Sequence, residues 1–384
     1  MRRPKRNAPE MESAERPLQA DGVDRPGRRR TLSSALVVAA VVAGLYIGLP
    51  RIAGLDETWG RLSEGDPWWL AIALLLEAAS YGGYVLLFRG VFVQPGSPIG
   101  WRESYEITMS GVAATRLLAA GGAGGIALTG WALARSGMGR GAVVRGLTTF
   151  LVALYGVYML SLVLVGVGLR SGLLAGPAPF ALTVVPAAFG AGAIAVTLAT
   201  SLLPRDLARR VRTRPARHER LAGIAASAAS AAAAAADGVR GALTLLRSRD
   251  SALIGAVAWW GFDIGVLWAC FHAFGEPPPP AVLVMAYFTG MLGNLLPLPG
   301  GVGGVEGGMI AALIGFDVTG GLAVVAVLSY RAFAFWLPTL PGAIAYLQLR
   351  RTVEEWKGAP GLSALRSQDP EAEDAASPDS RSSR

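Results

Sequence analysis

The sequence has one cysteine, Cys270, and two histidines, His218 and His272. A single cysteine excludes a disulfide within the chain and a cysteine-based zinc site. Two histidines far apart in sequence exclude a histidine-rich catalytic metal site, and no metal or cofactor is expected. Charge is also scarce. Only 16% of the 384 residues are charged, 52% are hydrophobic, and mean hydropathy is +0.44. A soluble domain carries about 25% charged residues. The composition therefore excludes a water-soluble globule of this size and implies an all-α polytopic membrane protein. The formal net charge of +8 does not imply a nucleic-acid partner. The basic residues gather in tails and in joints between apolar runs, where topology signals sit, and not on one folded face.

What is present is a series of apolar runs. Six are long enough to cross about 30 Å of hydrocarbon: Ser33–Pro50, Trp68–Phe88, Gly146–Leu169, Phe180–Leu203, Ser251–Phe274 and Thr319–Leu347. Two more regions, Ser104–Ala134 and Ala281–Asp317, are apolar but broken by glycine clusters. Each reads as a hairpin of two short helices. Whether a hairpin re-enters or crosses twice, the chain leaves on the side where it started. This gives three parts: a disordered basic cytoplasmic tail over 1–30, a transmembrane domain over 31–349, and a disordered cytoplasmic tail over 350–384.

Arginine placement sets one orientation. Basic residues crowd the first tail, the flanks of the first hairpin and loop 204–250, which holds ten arginines against four acids. These segments are expected to be cytoplasmic, with both termini, in the cell membrane. Within that loop, Leu221–Ala236 is rich in alanine, which favours helix more than insertion, and predicts a cytoplasmic or interfacial helix.

Gly121-Gly122-Ala123-Gly124-Gly125 matches Gly300-Gly301-Val302-Gly303-Gly304 at an offset of 179, and Gly111 falls on Gly290 at the same offset. The flanking spans also align, so a span–hairpin–span unit occurs twice. The arginine-based topology runs the two copies in opposite directions. An inverted pair of broken helices points to a transport site near the membrane midplane.

The most informative stretch is Asn294-Leu295-Leu296-Pro297-Leu298-Pro299-Gly300-Gly301-Val302-Gly303-Gly304-Val305-Glu306-Gly307-Gly308. The prolines end one helix, the glycines permit a tight turn, and a new helix starts with free N–H groups that attract anions. Glu306 falls in its first turn. With Ser329-Tyr330-Arg331 and Phe335-Trp336-Leu337-Pro338, this stretch resembles the flippase-like membrane region of lysylphosphatidylglycerol synthases, which many stand-alone bacterial and archaeal membrane proteins also resemble. The resemblance covers about residues 33–349. It implies a protein that moves, or helps move, a lipid or lipid-linked headgroup across the bilayer. Two departures limit it. The chain ends in a short polar tail where full-length synthases carry a soluble aminoacyl-transferase domain, so synthase activity is not carried over. Where the family often has a Pro-Arg-x-Gly-Glu-like motif in the first hairpin, Ala119-Ala120-Gly121-Gly122 stands here, and Ala127 takes the place equivalent to Glu306. The second half is then the expected headgroup contact.

Charged residues inside spans are costly and usually functional. Five stand out: Glu77, Arg116, Asp263, Glu306 and Arg331. Arg116 is a candidate phosphate ligand. Arg331 is expected to pair with Asp263 or Glu306, or to hold the substrate anion. Asp263 is an ion-pair candidate, and Glu77, among small neighbours, fits a helix contact. The expected substrate-binding set is Arg116, Gly121, Gly122, Gly124, Gly125, Pro299, Gly300, Gly301, Gly303, Glu306 and Arg331, with no catalytic residue. The expected ligand is a phospholipid or a polyprenyl-phosphate-linked headgroup. Two alternatives stay open. One is a non-transporting partner of an envelope-biosynthesis enzyme. The other is an enzyme of the polyprenyl-diphosphate phosphatase type, which lacks support here because no serine or second acid stands beside Glu306.

Overall fold

The structure is a computed structural model and describes residues 64–117, 123–204, 219–248, 250–295 and 301–358. The expected first span, Ser33–Pro50, and the tail over 1–30 lie outside the described residues. Every regular element among those described is helical. In chain order they are α1 (Pro67–Phe92), α2 (Trp101–Leu117), α3 (Ala123–Arg135), α4 (Arg140–Arg170), α5 (Phe180–Ser201), α6 (Glu219–Ser248), α7 (Ser251–Phe274), α8 (Pro280–Met291), α9 (Gly304–Gly315), α10 (Gly320–Arg331) and α11 (Thr339–Gly358). Segments 67–92, 140–170, 180–201, 251–274 and 320–356 are long and apolar enough to cross a membrane. They coincide with the five expected spans that follow the first.

Helices α1 and α7 open the two repeats and start alike. Asp66 caps α1 by accepting from Trp68 N at 2.9 Å, and Asp250 caps α7 by accepting from Ala252 N at 2.9 Å, each satisfying an orphan donor of the first turn. The two helices run antiparallel along their whole length. Asp66 N bonds Ala273 O at one end, Ser80 meets Trp259 in the middle, and Gly90 faces Ala252 at the other end. Close approach depends on glycine. A Cβ on Gly255 would lie 2.5 Å from Leu87 N and 2.6 Å from Gly83 O. Lipid tails are as apolar as the helix surfaces, so such close backbone packing, and not a hydrophobic drive, joins the pair. Ser80 Oγ donates to Trp259 O at 2.8 Å across a sequence separation of 179, which is the repeat offset. Equivalent residues of the two repeats therefore meet at the repeat axis.

The hairpins obey the same offset. Gly111 on α2 packs against Thr129 on α3, and Gly290 on α8 packs against Gly308 on α9. Their arms have 17 and 13 residues in the first hairpin and 12 and 12 in the second. At about 1.5 Å per residue, each arm is shorter than about 30 Å of hydrocarbon. Each hairpin is braced by the closing span of the other repeat. Gly342 on α11 packs on Met109 O of α2, and the Tyr158 hydroxyl of α4 donates to Phe288 O of α8 at 2.5 Å. Met109 and Phe288 are themselves equivalent at the repeat offset.

Three boundaries depart from the sequence reading. The alanine-rich helix extends to Ser248, well past Ala236, because Gly238 and Gly241 pack onto Thr148 and Thr149 of α4. Arg240 on it also caps the end of α5, donating to Ser201 O at 3.1 Å and to Leu203 O. The last span is not one helix. A π-helical segment, Ala332–Trp336, separates α10 from α11. Finally, α11 continues through residues 350–358, placed in a disordered tail by the sequence reading. Buried Leu349 and Val353, and a Thr352 hydroxyl that donates to Glu106 at 2.7 Å, hold it against the rest of the bundle. Residues 359–384 lie outside the described residues.

Candidate functional site

A cavity of about 500 Å³ lies where the two repeats meet. Phe88, Phe92, Leu147, Phe150, Leu151 and Leu154 of α1 and α4 give it an apolar wall, while Glu77, Arg116, Asp263, Tyr287, Tyr330 and Arg331 supply polar groups. Gly125 of the first hairpin and Gly301 of the second both reach it.

Arg116 sits in the last turn of α2, where the helix dipole favours a cation. Its acceptors come from the π-helical segment and from α1. Nη1 donates to Phe335 O at 2.8 Å, and Nη2 donates to Ala334 O at 2.7 Å and to the Tyr81 hydroxyl at 2.6 Å. Local chemistry explains the available carbonyls. In an α-helix, Ala334 O would accept from the N–H of residue 338, and Pro338 has none. The bond from Leu337 N to Ala332 O widens the preceding turn. π-Segments of this kind recur at functional sites. Arg116 donates to no carboxylate among the described residues, and two of its five N–H donors have no described partner.

Gly303, with φ of +88°, caps the start of α9. Glu306 in the first turn accepts from Gly303 N at 2.7 Å through Oε2 and from Arg331 Nε at 2.7 Å through Oε1. The anion-attracting end of this helix thus carries the chain's own carboxylate, and both members of the ion pair are buried. Arg331 is also held over the Phe335 ring at 4.3 Å, and Arg116 lies 5.2 Å from the same ring. One aromatic ring therefore organises both guanidiniums.

Asp263 is not paired with Arg331. Its Oδ2 accepts from the hydroxyls of Tyr287 and Tyr330. Across the α1–α7 pair it faces Glu77, and the two carboxyls interact with each other and with Arg116. Glu77 does lie in a helix contact, as its small neighbours predicted, and it also lines the cavity. Among the described residues, no cluster of three or more His, Cys, Asp or Glu side chains could hold a metal ion.

The family model for the lysylphosphatidylglycerol synthase TM region matches residues 34–342. The chain belongs to this family. It is also similar to a UPF0104 membrane protein of Methanothermobacter thermautotrophicus, with 30% identity over 125 residues, 32% of this chain and 36% of that protein. The aligned part thus spans little more than a third of that relative's length.

For this member of the lysylphosphatidylglycerol synthase TM-region family, the structure brings Arg116, Gly125, Gly301, Asp263 and Arg331 to one cavity. Glu306 stands behind them, reached through Arg331. Gly124 and Gly303 do not line the cavity, and Gly121, Gly122, Pro299 and Gly300 lie outside the described residues. The site set read from the sequence left out Tyr81, Tyr287, Tyr330 and the carbonyls of Ala334 and Phe335, although Tyr330 and Phe335 fall in the two stretches that carry the family resemblance. Pro338 was a further signal, because a proline inside a span frees a carbonyl one turn back.

Proposed function

We propose that this protein moves, or helps to move, the anionic headgroup of a lipid across the cell membrane. The observation that supports this best is Arg116. It is a guanidinium lining a largely apolar cavity of about 500 Å³, anchored by neutral acceptors and with two N–H donors that have no partner among the described residues. A phosphate matches such a donor, and the phenylalanine and leucine wall suits the start of an acyl or polyprenyl chain. The ligand is a phospholipid or a polyprenyl-phosphate-linked headgroup. The protein then acts as a transporter and not as an enzyme, with both termini and the arginine-rich loop on the cytoplasmic side. In this reading Glu306 and Arg331 shape the site by holding each other, and Arg116 makes the first contact with the headgroup.

The test is headgroup translocation by purified protein in proteoliposomes, with phosphatidylglycerol and a polyprenyl phosphate as separate cargoes. Loss of a charge-assisted contact predicts about a tenfold fall or more for Arg116→Ala. Unchanged transport in both Arg116→Ala and Glu306→Ala would sink the site assignment. The lipid that copurifies, identified by mass spectrometry, separates the two cargo classes.

A further inference from the structure

The charges around the cavity do not balance. Glu77, Asp263 and Glu306 stand against Arg116 and Arg331, and the two that lie closest, Glu306 and Arg331, neutralise each other at 2.7 Å. What remains is Glu77 and Asp263 against Arg116 alone. Both carboxyls are buried, at 4% and 7% exposure. Arg116 gives its described hydrogen bonds to two carbonyls and a tyrosine, not to either acid. Glu77 Oε2 is buried and has no hydrogen-bond partner. Among the described residues, one unit of negative charge at this pair is therefore uncompensated, which is costly unless something positive binds there.

The titratable groups that interact with this pair are Tyr81 on α1, Arg116 on α2, Cys270 on α7, Tyr287 on α8 and Tyr330 on α10, while Tyr155 and Tyr158 of α4 line the same cavity. Arg116 is the one cation in that set. A metal ion would need several open oxygens, but Asp263 Oδ2 already accepts from two tyrosines. A proton needs only two facing carboxyl oxygens, one donating O–H and one accepting, as in other carboxyl pairs that share a site. The pair also sits near the repeat axis, between the two helices whose equivalent residues meet at Ser80 and Trp259.

We propose that Glu77 and Asp263 share one proton at the repeat axis, and that an anionic headgroup arriving at Arg116 draws a second proton onto the pair. The second half rests on the headgroup reading above. A phosphate that takes the charge of Arg116 leaves the two carboxyls without a counter-charge, and one more proton restores neutrality. Entry of the headgroup and uptake of a proton are then a single coupled event. Proton coupling follows from the charge count of this cavity and needs no further residue.

Two measurements test the proposal separately. Infrared difference spectra of purified protein in light and heavy water should show a protonated carboxyl band that Glu77→Gln and Asp263→Asn each remove. Absence of that band from the unaltered protein overturns the shared proton. In weakly buffered detergent solution with a pH-indicator dye, short-chain phosphatidylglycerol is then added while its binding is followed by tryptophan fluorescence. Uptake of about one proton per bound lipid is expected, and per lipid bound it is lost in the variant that carries both Glu77→Gln and Asp263→Asn, because either carboxyl alone can still take the proton. Lipid binding without proton uptake overturns the coupling and leaves the headgroup reading intact. No lipid binding, with the infrared band present, removes the headgroup reading and keeps the proton site. Binding that requires sodium overturns the proton in favour of a metal cation. Size-exclusion profiles of every variant show whether a loss is one of folding.

Discussion

Replacing Arg331 by methionine tests the buried ion pair directly. Arg331 Nε lies 2.7 Å from Glu306 Oε1, with side chains 6% and 3% exposed. Attraction between the charges is offset by the loss of their hydration, so the pair as a whole adds little stability over an apolar pair of similar size. Removing one member is different. Among the described residues, Arg331→Met leaves the buried Glu306 carboxylate only the Gly303 N–H as donor, and such an orphaned charge costs about 3–5 kcal/mol. Glu306→Gln should also be costly, because its single amide oxygen can accept from Gly303 N or from Arg331 Nε but not from both, and its NH2 then faces a donor. The double variant Glu306→Gln, Arg331→Met removes both charges and should recover at least about 2 kcal/mol of the Arg331→Met loss, within the range for directly coupled residues. The assay is reversible unfolding of detergent-solubilised protein by increasing mole fraction of SDS, read by tryptophan fluorescence. Losses that add to within about 0.5 kcal/mol would refute the buried unit and the account of the α9 start built on it.

Other outcomes follow from particular contacts. In a Cys270→Ala background, cysteines placed by Gly90→Cys and Ala252→Cys should crosslink within one molecule, because these residues face each other where α1 and α7 run antiparallel; failure to crosslink while the protein stays monodisperse contradicts that packing. Gly255→Leu should destabilise the protein by about 1–3 kcal/mol, since a Cβ there already meets Leu87 N and Gly83 O, and an unchanged unfolding midpoint would count against the close crossing. Tyr158→Phe removes the hydrogen bond to Phe288 O and should cost about 1 kcal/mol, the scale of interhelical hydrogen bonds in membranes, measured in the same titration. Arg240→Ala exposes the carbonyls that end α5 and should speed amide exchange in α6 and at the end of α5 more than in α7, read by hydrogen–deuterium exchange.

Much of the architecture was legible because it is local. A span declares itself by length and hydropathy, and a hairpin by glycines at its turn. The repeat was legible because Gly111 and Gly290, and the two glycine clusters, keep one spacing. The antiparallel α1–α7 pair agrees with opposed copies, although the arginine counts could not show that Ser80 and Trp259 touch. The break at Ala332–Trp336 was less visible. Pro338 signals a freed carbonyl, but the π-segment forms where Arg116 stands ready to use it. The reach of α11 past residue 349 was hidden for a similar reason. Its polar sequence reads as tail until Thr352 finds Glu106.

The site divides along the same line. By itself the sequence determined that this is a membrane protein of inverted halves, with a few charges stranded where charge is costly. Hydropathy, charge and glycine spacing are properties of short stretches, and each carries its own physical consequence. Only the tertiary structure decided how those charges are spent: Glu306 on Arg331, Arg116 on carbonyls 218 and 219 residues away, and Asp263 facing Glu77 with two tyrosines at its side. A buried charge demands a partner, but its own neighbours in sequence do not say which one. That choice is made when distant helices pack, and here it gives the cavity's two guanidiniums different acceptors and leaves two acids facing each other.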